Sequence, residues 1–261
     1  MIKLRDLTKV FGPQTAVAGL NLDVPAGQIV GFLGPNGAGK STTLKMITGM
    51  LQPTSGTVTV AGHDLATDAL AVKRSVGFVP ESGALFESLT GLEYLRMVAA
   101  LYGIEETQAD ARITEFIQFF DLTWEALTDK FLGSYSKGMR RKVAIISALL
   151  HNPPVLLFDE PLDGLDVNAA MGFKTLIQTL AKQGRTIVYS SHILDVVEKV
   201  CDRVVIINQG KLVLDGAPAA VSAANGGRSL EEIFTALTGG DQLREKAENF
   251  ARTFTDHGDR R

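Results

Sequence analysis

The stretch GPNGAGKST, residues 34–42, combines glycines, a lysine and hydroxyl side chains in an order suited to binding a chain of phosphates. It matches the pattern G-x-x-x-x-G-K-[ST] in full, from Gly34 to Ser41. Glycines allow the tight turn that aims backbone N–H groups at an anion, and the N-terminus of the helix that follows adds positive potential. We expect Lys40 to reach the β- and γ-phosphates and the Ser41 hydroxyl to bind Mg²⁺.

The alternative for this stretch is a glycine-rich turn without a ligand. Its position between an apolar strand and a helical pattern disfavours that alternative. Gly37 and Gly39 do not complete the pattern G-x-G-x-x-G, so a dinucleotide site is disfavoured as well. The predicted nucleotide-binding residues of the loop are Gly34, Pro35, Asn36, Gly37, Ala38, Gly39, Lys40, Ser41 and Thr42.

A pair of acidic residues ends the apolar run VLLFDE at residues 155–160. At the end of a buried strand the chain can turn and bring both carboxylates close to the phosphates. Asp159 then suits a role linked to Mg²⁺, and Glu160 suits a general base that polarises the attacking water. The alternative is a pair of solvated carboxylates in a loop, which explains poorly why an apolar strand leads directly into them.

The stretch GSYSKGMRRK, residues 133–142, is basic in a chain whose formal net charge is -3. It could be a patch that binds nucleic acid, a solvated helix face, or an anion site that depends on its serine and glycine. An isoelectric point near 5.8 and the lack of interleaved aromatic residues disfavour the nucleic-acid patch. A serine hydroxyl, a glycine N–H and a helix N-terminus together make an anion site, which favours Ser136 and Gly138.

These candidates need strands and helices to position them, and the chain has the patterns for both. The predicted strands lie at residues 2–7, 18–24, 28–33, 57–60, 155–160 and 186–191, and residues 203–216 are predicted to form a hairpin that turns at 209–210. The predicted helices lie at residues 43–50, over most of 91–150, and at 167–182. Continuous apolar strands that alternate with helices predict a parallel sheet covered on both faces. Residues 241–261 are either a short amphipathic helix, with Leu243, Ala247, Phe250 and Phe254 on one face, or disordered.

Composition limits the classes of protein. With 261 residues, 45% of them hydrophobic, the chain fits one α/β domain or one domain with a subdomain. The longest apolar run, VAIISALL at residues 143–150, is less than half of the roughly 18–20 residues that a membrane span needs. The start of the chain shows no signal peptide, and the single cysteine, Cys201, favours a cytosolic protein with a core cysteine over a disulfide framework.

Taken together, these stretches resemble the ATP-binding subunits of ABC transporters over residues 2–220. The resemblance implies an α/β fold of the P-loop NTPase type, with a mixed parallel core sheet, an N-terminal antiparallel β subdomain and a helical subdomain. It implies an ATPase domain over residues 1–220, with the helical subdomain at about 88–150, and a helical extension over 221–261, for which partial disorder is the alternative.

The family's second phosphate-binding motif, L-S-G-G-Q, corresponds here to residues 135–139, which we call the signature stretch. Ser136 and Gly138 match this motif, whereas Lys137 and Met139 replace its usual Gly and Gln. The resemblance implies that Ser136 and Gly138 contact the γ-phosphate of an ATP held by a second subunit. Lys137 can add positive charge there, and residues 140–142 are interpreted as the polar face of a helix.

Four further positions take their roles from the resemblance. Phe11 stands where an aromatic residue stacks on adenine, although a core phenylalanine is the alternative. Asp166 lies in the GLD segment near the partner's phosphate loop. His192 resembles the histidine that contacts the γ-phosphate, with a structural histidine as the alternative. Glu81 replaces a glutamine that binds Mg²⁺, and a charged oxygen can still bind a hard cation.

The function implied is ATP binding and hydrolysis, with MgATP as ligand, by a dimer that drives a separate transmembrane permease from the cytoplasmic face of the membrane. Lys40, Glu160 and His192 are the expected catalytic group. Glu81 and the sequence YSKGM resemble the multidrug and antibiotic exporter subfamily, and a homodimer is favoured over a mixed pair. The alternatives are an ABC-type ATPase acting on ribosomes or nucleic acid, and a P-loop kinase, which would not explain the signature stretch.

Overall fold

A computed structural model describes residues 1–83, 85–239, 246, 247 and 250 of the chain. The strands are β1 (Ile2–Phe11), β2 (Gln14–Val24), β3 (Ile29–Leu33), β4 (Ser55–Val60), β5 (His63–Asp64), β6 (Val76–Val79), β7 (Val155–Asp159), β8 (Thr186–Ser190), β9 (Arg203–Asn208) and β10 (Lys211–Gly216). The helices are α1 (Lys40–Ile47), α2 (Ala69–Arg74), α3 (Gly91–Leu101), α4 (Glu106–Phe119), α5 (Trp124–Asp129), α6 (Lys137–Leu149), α7 (Val167–Lys182), α8 (Leu194–Val200), α9 (Pro218–Ala224) and α10 (Leu230–Thr238).

The N-terminal strands form an antiparallel sheet in the order β2-β1-β4-β5. In the first half of β1 the side chains of Ile2 and Leu4 are buried, whereas those of Lys3 and Arg5 are exposed, which is the alternation of a sheet with one face on a core. That face packs with β3, α1 and the neighbouring strands around one hydrophobic cluster. The antiparallel β subdomain is therefore fixed to the strand that leads into the phosphate loop.

The second sheet is mixed, in the order β10-β9-β3-β8-β7-β6. β3 runs parallel to both β8 and β9, and β7 runs parallel to both β6 and β8, while β10 returns antiparallel to β9. Every residue of β3, β7 and β8 is buried, because the sheet is covered on both faces. The carboxyl ends of these three strands meet at one edge, where ligands bind in open α/β sheets.

Helices α3 to α6 form a separate layer, and α6 packs on β6 at the end of the sheet. A capping box at Thr90 begins α3, and the Ser136 side chain accepts a hydrogen bond from the backbone N–H of Met139 at the start of α6. The buried residues of this layer belong to the second hydrophobic cluster, which also contains Phe158 and Phe173. The helical layer thus carries the signature stretch while sharing its core with the sheet.

Most predicted elements are confirmed, including the helix at 167–182 and the hairpin that turns at Gln209–Gly210. The first helix begins at Lys40 and ends at Ile47, which is earlier than the predicted 43–50. Cys201 is buried, as expected for a core residue. Within the described ranges no helix is long and apolar enough to span a bilayer. Leu243 and Phe254, on which the prediction of a C-terminal amphipathic helix depends, lie outside the described residues.

Candidate functional site

The phosphate loop connects β3 to α1, and two of its glycines are required by close packing. A Cβ on Gly39 would lie 2.4 Å from the carbonyl oxygen of Ala16, and φ of Gly39 is 103°, in the left-handed region. A Cβ on Gly34 would lie 2.4 Å from the carbonyl oxygen of Ile207. Side chains other than hydrogen at these two positions would push the loop away from β2 and β9.

The helix that follows begins with Lys40, and its N-cap residue Gly39 has no side chain to occupy the N-terminal N–H groups. Lys40 Nζ donates to the carbonyl oxygens of Gly34, at 2.6 Å, and Pro35, at 3.2 Å. Burial lowers the pKa of Lys40, and the nearby carboxylates of Glu160, Asp159 and Glu81 partly oppose this effect. A half-buried ammonium at an uncapped helix N-terminus is arranged to bind an anion.

Both acidic residues lie at the carboxyl end of β7. Asp159 is the last residue of the strand and is 2% exposed. Glu160 has φ of 51°, so the chain turns sharply after the strand, and its N–H donates to Ser190 O at 3.1 Å. This turn brings both carboxylates to one cleft, as the sequence predicts, instead of leaving them on opposite faces. Burial raises the pKa of Glu160, and a carboxylate whose pKa is raised towards neutrality is suited to general-base chemistry.

His192 lies beside the base. Its Nδ1 is 2.8 Å from Glu160 Oε2, while its ring is mostly exposed. This contact lowers the pKa of Glu160 and so partly opposes the effect of burial. The sequence predicts that both residues lie near the γ-phosphate, but it does not predict that they touch each other. They are 32 positions apart, and only the parallel pairing of β7 with β8 brings them together.

A cleft of about 450 Å³ lies in front of these groups. It is lined by Phe11, Gln14, Ala16, Asn36, Gly37, Gly39, Lys40, Ser41, Thr42, Glu81, Asp159 and Glu160. Of the other predicted loop residues, Gly34 and Pro35 accept the Lys40 hydrogen bonds, and Ala38 is buried behind the loop. Gln14 and Ala16 are not predicted from the sequence, since nothing in the local sequence of β2 indicates that this strand crosses the phosphate loop.

Phe11 lies at the mouth of the cleft and is 47% exposed, so the alternative of a core phenylalanine is wrong. Lys9 Nζ lies 5.1 Å from the centroid of its ring. One face of the ring is thereby covered by a cation, and an exposed aromatic ring at a cleft mouth suits stacking on a planar base.

The donors in the cleft fit Mg²⁺. The carboxylate of Asp159 is buried and makes no ion pair with any residue that the structure describes, and a buried carboxylate needs a cation nearby. Ser41 and Glu81 add a hydroxyl and a carboxylate on the same cleft. No cluster of three or more His, Cys, Asp or Glu side chains suited to a metal occurs in the described part of the chain. Mg²⁺ is commonly held by one or two carboxylates together with substrate phosphates, so a closed protein cage is not required.

The signature stretch does not line this cleft. A Cβ on Gly138 would lie 2.5 Å from the carbonyl oxygen of Gly164, so the glycine allows the segment before α7 to approach α6. Asp166 caps α7 by accepting from the N–H of Ala169 at 2.8 Å, and Lys142 Nζ lies 3.2 Å from its carboxylate. Ser136 and Gly138 at the start of α6 and Asp166 at the start of α7 therefore form a second group outside the cleft.

Arg141 does not occupy the helix surface, so that interpretation of residues 140–142 is wrong for this residue. It is 2% exposed, and its guanidinium donates to the carbonyl oxygens of Pro80 and Glu81, both at 2.8 Å. Lys142 is also largely covered and donates to Phe120 O at 2.8 Å. The helical period predicts which residues share a face, but it does not show that β6 and its following loop cover that face.

Comparison with known proteins gives consistent relatives. The family model described as ABC transporter matches residues 17–163. The ABC transporter ATP-binding protein NatA of Bacillus subtilis is 37% identical over 240 residues, covering 90% of this chain and 96% of NatA. The bacitracin transport ATP-binding protein BcrA of Bacillus licheniformis is 40% identical over 214 residues, covering 82% of this chain and 68% of BcrA.

Solved structures with the same fold include an ATP-binding subunit of an ABC transporter. It is 33% identical with a TM-score of 0.85, covering 91% of this chain and 99% of that one. A dimeric ATP-binding cassette in a post-hydrolysis state with ADP and Pi is 26% identical with a TM-score of 0.76, covering 83% of this chain and 98% of that one.

Proposed function

Because the chain belongs to the ABC transporter family, we propose that it is the ATP-binding and ATP-hydrolysing subunit that powers an exporter. One observation carries the proposal: the phosphate loop and the two carboxylates that end β7 line the same cleft. A phosphate-binding loop opposite a buried carboxylate and a candidate base is the arrangement that phosphoryl transfer to water requires. The cassette with bound ADP and Pi, to which this chain is similar, supports hydrolysis as the reaction.

Each residue of the cleft has a role in this proposal. The backbone of the phosphate loop and Lys40 hold the phosphates, and Phe11 stacks on the adenine. Glu160 accepts the proton of the attacking water, while His192 orients its carboxylate through the contact at Oε2. Ser41, Asp159 and Glu81 would hold Mg²⁺, which supplies Lewis-acid stabilisation of the charge on the phosphates.

The working unit is a dimer in which each ATP is held by two chains. Ser136 and Gly138 lie outside the cleft that contains Lys40, so they cannot complete the site of their own chain as it is arranged here. A two-fold pair of identical subunits would bring each signature stretch to the cleft of its partner and make two equal sites. The similarity to a dimeric cassette supports this assembly, and we propose a homodimer.

A separate membrane protein completes the transporter. The relatives include a bacitracin transport protein, and the described residues contain no helix able to span a membrane. We propose that the chain binds a transmembrane permease at the cytoplasmic face of the membrane and drives export. An ATPase acting on ribosomes or nucleic acid is the less favoured alternative. The domain division, with the ATPase over 1–220, its helical subdomain at about 88–150 and an extension over 221–261, belongs to the same proposal.

The proposed function is tested by isolating the tagged chain from membranes and by comparing its ATPase activity with that of a Lys40 variant. A tagged chain isolated from membranes should bring a protein with several membrane spans, and the complex should hydrolyse MgATP. Lys40→Ala should abolish most of this activity with an unchanged circular dichroism spectrum, because the ammonium of the phosphate loop is lost. Lys45→Ala, on the exposed face of the same helix, is the matched control and should retain activity. Equal activity of the two variants would refute the assignment.

A further inference from the structure

Arg141 is a buried cation that the site residues above leave unexplained. Its guanidinium is covered, and no carboxylate among residues 1–83 and 85–239 lies within 4 Å of it as an ion-pair partner. Burying a charge costs free energy unless hydrogen bonds and nearby opposite charge compensate. The two hydrogen bonds to Pro80 and Glu81 are therefore the main contacts that hold this side chain in place.

The carbonyl groups of Pro80 and Glu81 lie where the chain leaves β6 and enters the nucleotide cleft. Pro80 and Glu81 directly follow β6, where the chain leaves the sheet, so their carbonyl oxygens are outside the ladder of β6 and β7. The planar fork of one guanidinium binds two successive peptide groups, which fixes the direction of the backbone between them. These two peptide groups flank the Cα of Glu81, so Arg141 constrains the direction in which the Glu81 side chain leaves the backbone.

Glu81 lies between the nucleotide cleft and the helix α6, which carries the signature stretch. It lines the nucleotide cleft, and it also lines a neighbouring cavity of about 230 Å³ together with Lys137, Arg140 and Arg141 of α6. Arg141 is five positions after Ser136 on the same helix. A displacement of the signature stretch would therefore move the backbone of Glu81, which lines the nucleotide cleft.

The positive charge of Arg141 is also suited to a position near the carboxylates of the cleft. Burial lowers the pKa of Arg141, while Asp163, Asp159, Glu160 and Glu81 act in the opposite direction, in that order. The guanidinium thus places positive charge close to a cleft that holds three carboxylates, without contacting any of them. It offsets part of the repulsion that a third carboxylate, Glu81, adds beside Asp159 and Glu160.

We propose that Arg141 is a positioning residue for ATP hydrolysis, which anchors the peptide groups of Pro80 and Glu81 and so couples the helix of the signature stretch to the Mg²⁺ side of the cleft. The inference rests on the proposed ATPase function. It predicts that removal of the fork misplaces the carboxylate of Glu81, while the phosphate loop and the adenine-binding surface keep their shape.

The test uses the complex with its membrane partner and three variants. Arg141→Gln removes the charge and the fork, and Arg141→Lys keeps the charge but not the planar pair of donors. Arg112→Gln is the matched control, because Arg112 Nη1 donates to Leu150 O at 2.6 Å and so ties another helix to the opposite end of α6. Binding of a fluorescent ATP analogue is titrated with Mg²⁺ and repeated in EDTA, and hydrolysis is followed separately.

For Arg141→Gln we expect the Mg²⁺ concentration at half-maximal nucleotide binding to rise, and kcat to fall, each by about tenfold or more, as for other residues that orient metal ligands. Binding in EDTA should stay as in the wild type. Arg141→Lys should give values of both quantities between those of the wild type and those of Arg141→Gln. Arg112→Gln should give the Mg²⁺ titration of the wild type even if its melting temperature is lower. If Arg141→Gln does not fold, the inference is tested by the Mg²⁺ concentration at half-maximal nucleotide binding of Arg141→Lys.

Mg²⁺ titrations of both Arg141 variants that coincide with that of Arg112→Gln would overturn the inference and leave the proposed function intact. A loss of nucleotide binding in EDTA by the folded Arg141 variants would also overturn it, since Arg141 would then support the cleft as a whole. A wild-type complex that binds no nucleotide would instead refute the proposed function itself.

Discussion

The N-termini of α1 and α6 carry the two stretches with phosphate-binding residues, and they are built differently. At α1 the N-cap is Gly39, which has positive φ and no capping side chain, and Lys40 follows within the cleft. At α6 the N-cap is Ser136, whose hydroxyl already accepts from Met139 N–H at 3.2 Å, and the next residue, Lys137, pairs with Asp163 at 2.5 Å. One end faces a cleft with carboxylates, and the other faces outwards.

This difference indicates a division of labour. The α1 end has the proposed metal-binding donors and the proposed base beside it, an arrangement that suits binding of MgATP and of the attacking water. The α6 end has a hydroxyl that accepts from the helix and can still donate its own hydrogen to a phosphate oxygen. It therefore suits a partner chain's ATP, and the following predictions test whether the two ends differ in this way.

The largest effect is expected from the base. Glu160→Gln should lower kcat by about 10²–10⁴-fold, because the amide cannot accept the proton of the attacking water. Nucleotide binding should persist, so the variant should accumulate as a closed dimer with ATP, which light scattering with and without ATP would detect. Glu198→Gln, at an exposed position of α8, serves as the control. Normal hydrolysis by Glu160→Gln would remove Glu160 from this role.

Mixing two inactive chains tests the division of labour directly. Ser136→Arg blocks the signature stretch and Lys40→Ala disables the phosphate loop, so each homodimer has two defective sites. With random pairing and independent sites, an equal mixture should recover about a quarter of the wild-type ATPase activity, because half of the dimers contain one intact site. Differential tags would verify that mixed dimers form in the assembled complex.

Two outcomes of this mixing experiment would contradict the comparison. If mixed dimers form and stay inactive, either Ser136 does not act across the interface or both sites must be intact for turnover. If Ser136→Arg is active alone, the signature stretch does not bind the partner's ATP, and a basic helix face becomes its better description.

A smaller effect, and one that depends on pH, is expected at the contact between His192 and Glu160. The histidine lowers a pKa that burial raises, so His192→Ala should raise the pKa of Glu160 further. The base must be ionised to work, and the acidic limb of the pH–rate profile should therefore move to higher pH. The loss near pH 6 should be about tenfold or less and should shrink as the pH rises. An acidic limb at the wild-type position would show that His192 does not tune Glu160.

The smallest effect is expected for Glu81→Gln, which restores the residue more usual in the family at this position. Activity should be at least retained, because an amide oxygen can also bind Mg²⁺. The Mg²⁺ dependence of hydrolysis should change, since one of three carboxylates in the cleft is removed. Superimposable Mg²⁺ titrations of the variant and the wild type would count against a contact between Glu81 and the metal.

The features that sequence analysis predicted correctly are those with local causes. The apolar runs of β7 and β8 and the pattern of α7 fix these elements within a few residues, and the full phosphate-loop pattern identifies Lys40 and Ser41. The features it missed depend on contacts between distant segments. Gln14 lines the cleft because β2 crosses the phosphate loop. Arg141 is buried because α6 is covered by β6 and its following loop, which lie about sixty positions before it in the chain. The roles of the predicted site residues remain predictions.

The hairpin turn at Gln209–Gly210 has a consequence for how the protein is made. Gly210 N–H donates to Ala38 O at 3.0 Å, its carbonyl accepts from Ala18 N–H at 2.9 Å, and β3 pairs with β8 and β9. The phosphate loop is therefore held by segments that leave the ribosome long after the loop itself. A nascent chain cannot use ATP to help it fold until most of it has been translated, and shorter fragments that contain the full phosphate-loop sequence should not bind nucleotide.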